Sequence, residues 1–336
     1  MKKSTITTAA LAVCLVALAV CAWLMFSGSV SLAGGITYPN ADRYTAGDAK
    51  ISVSVNSLFI DWTEGRVNIE YHAGSGVTVS ETADRALSED DKLRWWLDGD
   101  TLRIRYAKSG FRFSLTSLNK VLTVSLPEGT VLKSADIGST SGDLNIPALA
   151  ADEIRLDSTA GNITAATEAK KLTVSATSGS IDVRQDGDAG AVTLGSTSGS
   201  IACALGSAKD VAADSTSGSV SLTLSGSADN VSLHSTSGEI GAEIASAGKA
   251  EISSTSGNVT VKLSAFGSLK IGSTSGSVTA RLPAEPGLTC TADTTSGSFS
   301  SDLALAKDGN RYTCGDGSAA VSIDTTSGNI RLEKAE

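Results

Sequence analysis

One short motif recurs along most of the chain and limits what the chain can fold into. Tetrapeptides of the types STSG, STAG, ATSG and TTSG end in glycine, and successive glycines lie 18 to 21 residues apart except for a last interval of 31. These glycines are Gly142, Gly161, Gly179, Gly199, Gly218, Gly238, Gly257, Gly276, Gly297 and Gly328. A fixed period of this length is typical of proteins whose repeats stack on one another.

The residues around each glycine alternate between apolar and polar. The second residue after every one of these glycines is apolar, and so are the residues five and seven before it. An apolar residue at every second position predicts a β-strand with one buried face. Because the alternation changes phase across the glycine, we expect each glycine to bend the chain with a positive φ, giving strand, corner, strand and loop. The predicted fold is an all-β parallel β-solenoid, similar to a β-helix, with turns of about 19 residues.

The N-terminal segment predicts a membrane helix or a signal peptide. Residues 6–26 carry no charge over a length that can cross a bilayer, and Lys2 and Lys3 precede them. A retained helix would make a single-pass protein of the cell membrane with its C-terminal part extracytoplasmic. Cleavage near residues 31–33 would give a secreted protein.

The rest of the chain divides by its repeat content. Residues around Gly65 keep the repeat register, with Leu58 and Ile60 before the glycine and Val67 and Ile69 after it. The predicted organisation is an anchor or signal segment at 1–30, a linker at 31–49, divergent first solenoid turns at 50–130 with a polar excursion near 80–100, and regular repeats at 131–336 with an insertion near 303–316.

Composition and the scarcity of reactive side chains restrict the function. A net charge of −9 argues against a nucleic-acid partner, whose phosphates require a basic surface. The chain has only His72 and His234 and no clustered metal ligands, so we predict no metal and no cofactor. An envelope enzyme acting on glycan would need carboxylates of the first third, such as Asp61, Glu64 and Glu70, to converge in one groove.

Two features predict surfaces that meet a partner or protect the fold. Threonine stands two residues before every repeat glycine, which predicts a row of hydroxyl and methyl groups that includes Thr197, Thr216, Thr236, Thr255 and Thr274. The row either caps the backbone and packs on the neighbouring threonine at each corner, or forms a flat surface for a ligand such as ice or glycan. Trp95 and Trp96 either cover the open end of the stack or stack on a ligand.

The cysteines outside the N-terminal segment are Cys203, Cys290 and Cys314. Cys203 and Cys290 fall on inward positions and are expected to be buried thiols. Outside a membrane, a disulfide between Cys290 and Cys314 is an open alternative, since the last insertion carries Cys314.

The segments LFIDWTEGRVNIEY, LTVSLPEG, the serial STSGSV-type turns and the closing GDGSAAVSIDTTSGNIRL resemble the bacterial DUF4097 family of "putative adhesin" β-strand repeat proteins. The resemblance covers roughly residues 50–336. It implies a surface-exposed solenoid in a bacterium and supplies no catalytic residues.

Three functions remain open from the sequence. The first is a non-enzymatic extracytoplasmic surface protein, an adhesin-like interaction module or an envelope structural module, with cell-wall glycan or a host surface as partner. The second is the glycan-processing enzyme. The third is a ligand-free structural protein of the stressed envelope.

Overall fold

The computed structural model describes residues 35–111 and 117–335, and the chain divides into two compact units, Met1–Ala166 and Thr167–Glu336. Apart from one 3-10 turn at Ala41–Arg43, the regular structure of the described ranges is β-strand. These ranges hold no helix that is long and apolar enough to cross a membrane. The predicted helix at residues 6–26 lies outside them.

The strands of the first unit are β1 Gly35–Ile36, β2 Thr45–Ala46, β3 Ala49–Ile51, β4 Ser57–Trp62, β5 Arg66–His72, β6 Val77–Thr82, β7 Arg94–Asp98, β8 Thr101–Arg105, β9 Gly110–Phe111, β10 Val121–Pro127, β11 Leu132–Ser139 and β12 Asp143–Ser158. The unit boundary falls within β13 Ile163–Ala176. The second unit continues with β14 Ile181–Ser196, β15 Ile201–Ser215, β16 Val220–Ser235, β17 Ile240–Ser254, β18 Val259–Ser275, β19 Val278–Leu282, β20 Leu288–Ser296, β21 Phe299–Ser301, β22 Ala306–Asp308, β23 Arg311–Cys314, β24 Ala319–Ser327 and β25 Ile330–Lys334.

The regular turns of the second unit form the predicted parallel stack. Strands β14 to β18 pair in parallel with their sequence neighbours, so residues at the same distance from each glycine lie side by side. Ile252 pairs with Leu233 on one side and Ile271 on the other, and all three are 1% exposed or less. The all-β class and the inward register predicted from the repeat are therefore confirmed.

The predicted loop between the two arms of each turn is wrong. Each regular turn is one long strand that runs through this region, as in β15, Ile201–Ser215. The pairing of β15 with β16 shifts register between Leu205 and Ala208, as a β-bulge does. A bulge changes the direction of a strand while the backbone keeps pairing with its neighbours, so the turns need no loop here.

The first unit does not stack its turns in chain order. The turn formed by β4 and β5 pairs in parallel with β11 and β12 on one side and with β8 and β10 on the other. The register predicted around Gly65 is confirmed, since Ile60 pairs with Ile137 and Val67 with Leu144. The expectation that the early turns stack in chain order is wrong, because β8 and β10, which come later in the chain, pair with the outer side of β4 and β5.

Antiparallel strands then cover this end of the first unit. Strand β7 pairs with β8 and β2 with β7, while β6 pairs with β10 and β3 with β6. Residues 35–49, expected to be part of a linker, instead supply β1, β2 and part of β3 and bury Tyr38 and Tyr44. The added strands occupy hydrogen-bonding groups that an open parallel edge would expose.

The second unit ends in a similar way. The last turn, β24 and β25, lies between β18 and β19 on one side and β20 and β21 on the other. The predicted insertion near 303–316 contains β22 and β23, and β23 pairs antiparallel with β20. The long last interval of the repeat therefore supplies the hairpin that covers this edge.

Candidate functional site

The corner at each repeat glycine depends on close approach between turns. Among the described residues, positive φ occurs at Gly65 but at none of the repeat glycines, so the predicted left-handed bend is wrong. A methyl group at Gly238 would overlap the carbonyl oxygen of Gly218, and one at Gly218 would overlap that of Gly199. Glycine is required here because neighbouring corners leave no room for a Cβ atom.

A buried serine, which the sequence analysis missed, completes the corner. Ser235 lies three residues before Gly238, is 0% exposed, and accepts a hydrogen bond from the Gly238 N–H at 2.8 Å. The same bond joins Ser215 to Gly218 at 2.9 Å. The signal in the sequence was the serine that begins most of the STSG motifs. The hydroxyl three residues before the glycine, rather than that of the threonine two residues before it, therefore bonds the corner backbone.

The threonines of the motif face outward. We call Thr197, Thr216, Thr236, Thr255 and Thr274 the corner row; Thr197 and Thr274 are exposed and the others are half-buried. Within the described part of the chain, none of the five hydroxyls has a hydrogen-bond partner in the protein. The predicted capping by these hydroxyls is therefore not observed, and packing between neighbouring threonines and an outward-facing ligand surface both remain predictions.

Backbone hydrogen bonds fix the spacing of the corner row. The N–H of Ser237 donates to the carbonyl of Thr216 at 3.0 Å, and that of Ser256 to Thr236 at 2.9 Å. Neighbouring threonines are thus held at the strand spacing of about 4.8 Å. The result is a rigid line of donors and acceptors at constant intervals.

The two tryptophans belong to the covering strands of the first unit. Trp95 pairs with Thr45 and Ile104 in the backbone ladder. The ring of Trp96 contacts that of Tyr44 edge-on at 5.6 Å, and the Arg43 guanidinium lies 5.3 Å from its centroid. Both side chains are half-buried, an arrangement that fits the covering role better than a ligand platform.

The three carboxylates of the enzyme hypothesis do not share a groove. Asp61 is half-buried and forms an ion pair with Arg105; burial raises its pKa, opposed by the Arg105 charge. Glu64 accepts hydrogen bonds from the Tyr106 hydroxyl and the Leu118 N–H. Glu70 is exposed and accepts one from Ser125 at 2.8 Å. A surface cavity of about 310 Å³ in this unit contains none of the three, since its lining is Ser52–Asn56, Gly76, Val77, Pro127, Thr130 and Val131.

One polar column in the second unit has the composition of a hydrolase triad. Asp214, His234 and Ser253 occupy the same position on adjacent turns, and His234 Nδ1 lies 2.9 Å from Ser253 Oγ. No hydrogen bond joins Asp214 to His234 among the described side chains, although a triad needs one to orient the imidazole. The column is therefore a partly buried polar ladder.

The remaining predicted sites concern cysteines and metals. Cys203, Cys290 and Cys314 are free and buried. The disulfide is absent because Cys290 pairs with Tyr312 and Cys314 with Leu288, a stagger of two residues. Burial raises the pKa of the Cys203 and Cys290 thiols to about 12.

Within residues 35–111 and 117–335, no group of three His, Cys, Asp or Glu side chains could hold a metal ion.

A protein-family model matches the chain over two ranges that contain the repeats. The family model described as "Toastrack DUF4097" matches residues 55–266 and, again, 167–333. The comparison with curated proteins found no match to the chain.

Crystal structures of bacterial proteins share low similarity with the chain. A "putative adhesin" from Parabacteroides distasonis is 17% identical over 87% of this chain and 97% of its own, with a TM-score of 0.42. A "putative lipid binding protein" from the same species is 13% identical over 88% and 97%, with a TM-score of 0.40. A "putative adhesin" from Bacteroides fragilis is 16% identical over 87% and 97%, with a TM-score of 0.33. These TM-scores are too low to transfer a ligand or an activity.

Proposed function

The chain belongs to the DUF4097 Toastrack family, and we propose that it is a non-enzymatic surface protein that binds an extended, hydroxyl-rich polymer along the corner row. The observation that carries the proposal is the row of outward hydroxyls at constant spacing. Hydroxyls both donate and accept hydrogen bonds, so a line of them complements a glycan, whose own hydroxyls repeat along the chain.

The partners proposed for this row are cell-wall glycan and the glycans of a host surface. The protein's net negative charge disfavours acidic polymers and leaves neutral glycans as the better fit. The enzyme alternative has little support, because its carboxylates are engaged by different partners. The ligand-free envelope protein is the outcome that remains if no polymer binds.

The binding test uses the full chain on immobilised cell-wall glycan and on mucin. Replacing Thr216, Thr236 and Thr255 together by valine removes three hydroxyls while keeping the side-chain shape. The matched control replaces Thr193, Thr223 and Thr260, outward threonines outside the corner row, by valine. We expect retention to fall at least about tenfold in the first variant, since each hydrogen bond contributes roughly 1 kcal/mol. Equal retention by the two variants, or no retention of the wild type, would reject the proposal.

We also propose that the folded units lie outside the cell membrane, held by residues 6–26, or are secreted if that segment is cleaved. The support is the uncharged run and the lysines before it. If the segment is retained, protease added to intact cells should remove the folded units. If it is cleaved, the folded units should be found in the medium. Protection until the cells are lysed would contradict this location.

A further inference from the structure

The first unit contains a lysine that is completely withdrawn from solvent. Lys120 lies just before β10 and is 0% exposed. Its Nζ is 2.6 Å from Oε2 of Glu81, whose side chain is 5% exposed. The same Nζ donates to the backbone carbonyls of Asp91 at 2.7 Å and Tyr106 at 2.5 Å. The amine is therefore fixed in direct contact with one carboxyl group.

Aromatic rings close this site. Lys120 Nζ lies 4.3 Å from the ring centroid of Tyr106 and 5.0 Å from that of Trp62, which is itself 0% exposed. The rings and the surrounding chain withdraw the pair from bulk water, so a proton transferred within the pair stays inside the site. Moving one proton from Nζ to Oε2 converts the pair into an amine and a carboxylic acid, the forms that can react with each other.

The second oxygen of Glu81 has a backbone donor. The N–H of Leu93 donates to Oε1 at 2.6 Å. If Nζ attacked the carboxyl carbon, negative charge would develop on Oε1, where this fixed donor would stabilise it. The reacting groups are held together by the fold, which replaces a bimolecular encounter by an intramolecular one.

We propose that Lys120 and Glu81 condense to an intramolecular amide. The Nζ lone pair forms the bond to the Glu81 carboxyl carbon, and the C–Oε2 bond breaks. Oε2 leaves as water, carrying the acid proton and one proton from Nζ. No oxidant or reductant is required. The remaining N–H keeps a carbonyl acceptor beside it, and the surrounding rings exclude the water that would reverse the reaction.

The amide would lock the covering strands of the first unit. It would close a loop over residues 81–120, which contains the β7–β8 hairpin. Strand β6 already pairs with β10, and Glu81 is the partner of Leu122 in this pairing. Lys120 lies two residues before Leu122, so the cross-link would join two segments that are already neighbours. A covalent tie at this position would stabilise the covered edge, because a cross-link restricts the unfolded chain.

The test is the intact mass of the full chain and of its Lys120→Arg variant, each compared with its sequence mass. We expect the wild type to be lighter by one water and the variant to be unchanged. Tryptic digestion should give a branched peptide that joins Glu81 to Lys120. Lys270 and Glu251 supply an internal control, since their ion pair is 2.9 Å long but 54% and 42% exposed, and their peptides should remain separate.

Two results would overturn the proposal. The first is a wild-type chain of full sequence mass with separate Glu81 and Lys120 peptides, which would leave a structural ion pair only. The second is loss of water mapped to an Asp-Gly step such as Asp186-Gly187, where aspartate cyclises with the next backbone nitrogen. Because the wild-type mass decides, the test does not depend on whether a variant folds, and it is independent of glycan binding.

Discussion

Ser235 Oγ accepts a hydrogen bond of 2.8 Å from the backbone N–H of Gly238, three residues further along the chain. The hydroxyl also donates to the carbonyl of Gly218 on the neighbouring turn, at 3.1 Å. One buried side chain thus closes its own corner and joins it to the next. Thr236, the following residue, faces outward, so the residue that builds the corner and the residue proposed to bind glycan are adjacent in one motif.

Replacing Ser235 by alanine should destabilise the second unit by about 1–3 kcal/mol, because the buried N–H of Gly238 loses its partner. Thr236→Val removes the neighbouring hydroxyl from the outer side and should change the free energy of unfolding by less than about 0.5 kcal/mol. Denaturant unfolding of both variants measures the difference. Equal losses would show that threonine also supports the corner.

Gly238→Ala should be far more damaging than Gly241→Ala. The added methyl at Gly238 would overlap the Gly218 carbonyl, whereas one at Gly241 meets nothing within 4 Å. We expect a loss above about 3 kcal/mol for the first and a change near zero for the second, as for other forced backbone contacts. Thermal unfolding followed by circular dichroism is sufficient. A tolerated Gly238→Ala would contradict the close approach of the corners.

Ile252→Ala tests the inward register. The side chain is 1% exposed between Leu233 and Ile271, so its truncation should cost about 2–5 kcal/mol. Ser253→Ala is the control, since Ser253 is half-buried and loses only its contact with His234. Its cost should stay below about 1 kcal/mol. Comparable losses in the two variants, or a larger loss for Ser253→Ala, would contradict the assigned faces.

Asp136 gives the first unit a defined pH dependence. Burial, and then the carboxylate of Asp157, raises the pKa of Asp136 to about 6, although Arg155 and Arg105 lower it and Asp61 raises it further. Since this pKa is above the unfolded value, the folded state binds the proton more tightly, and stability from this group increases as the pH falls through about 6.

The corresponding variant is Asp136→Asn. It should be more stable than the wild type at about pH 8, by on the order of 3 kcal/mol, and this advantage should vanish by about pH 4. Unfolding of both proteins across that range provides the measurement. A difference that does not change with pH would show that Asp136 titrates normally in the fold.

The parallel stack was predictable from the sequence because the repeat states its period and its inward residues directly. Ile252 could be assigned to the core from alternation alone. The order of the terminal turns could not, since β24 carries the same motif as β20 and pairing in either order buries the same side chains. The sequence also led us to assign the capping of the corner backbone to threonine instead of serine. Both residues precede the glycine, and only the backbone geometry shows which of them points inward.

Lys120 lay beyond sequence reasoning for a different reason. It stands between Asn119 and Val121, just before a strand, where a lysine normally faces water. Its burial follows from residues distant in the chain, namely Glu81, Trp62 and Tyr106. No local sequence pattern predicts these contacts, because they form only when the covering strands have folded onto the unit.

The most direct test of the corner row is threonine-methyl NMR of the full chain during titration with cell-wall glycan. The methyl signals of Thr216, Thr236 and Thr255 should shift together and saturably, since they share one line along the stack. Those of Thr193, Thr223 and Thr260 should remain in place. Shifts confined to threonines outside the corner row, or no shift at saturating glycan, would contradict the account.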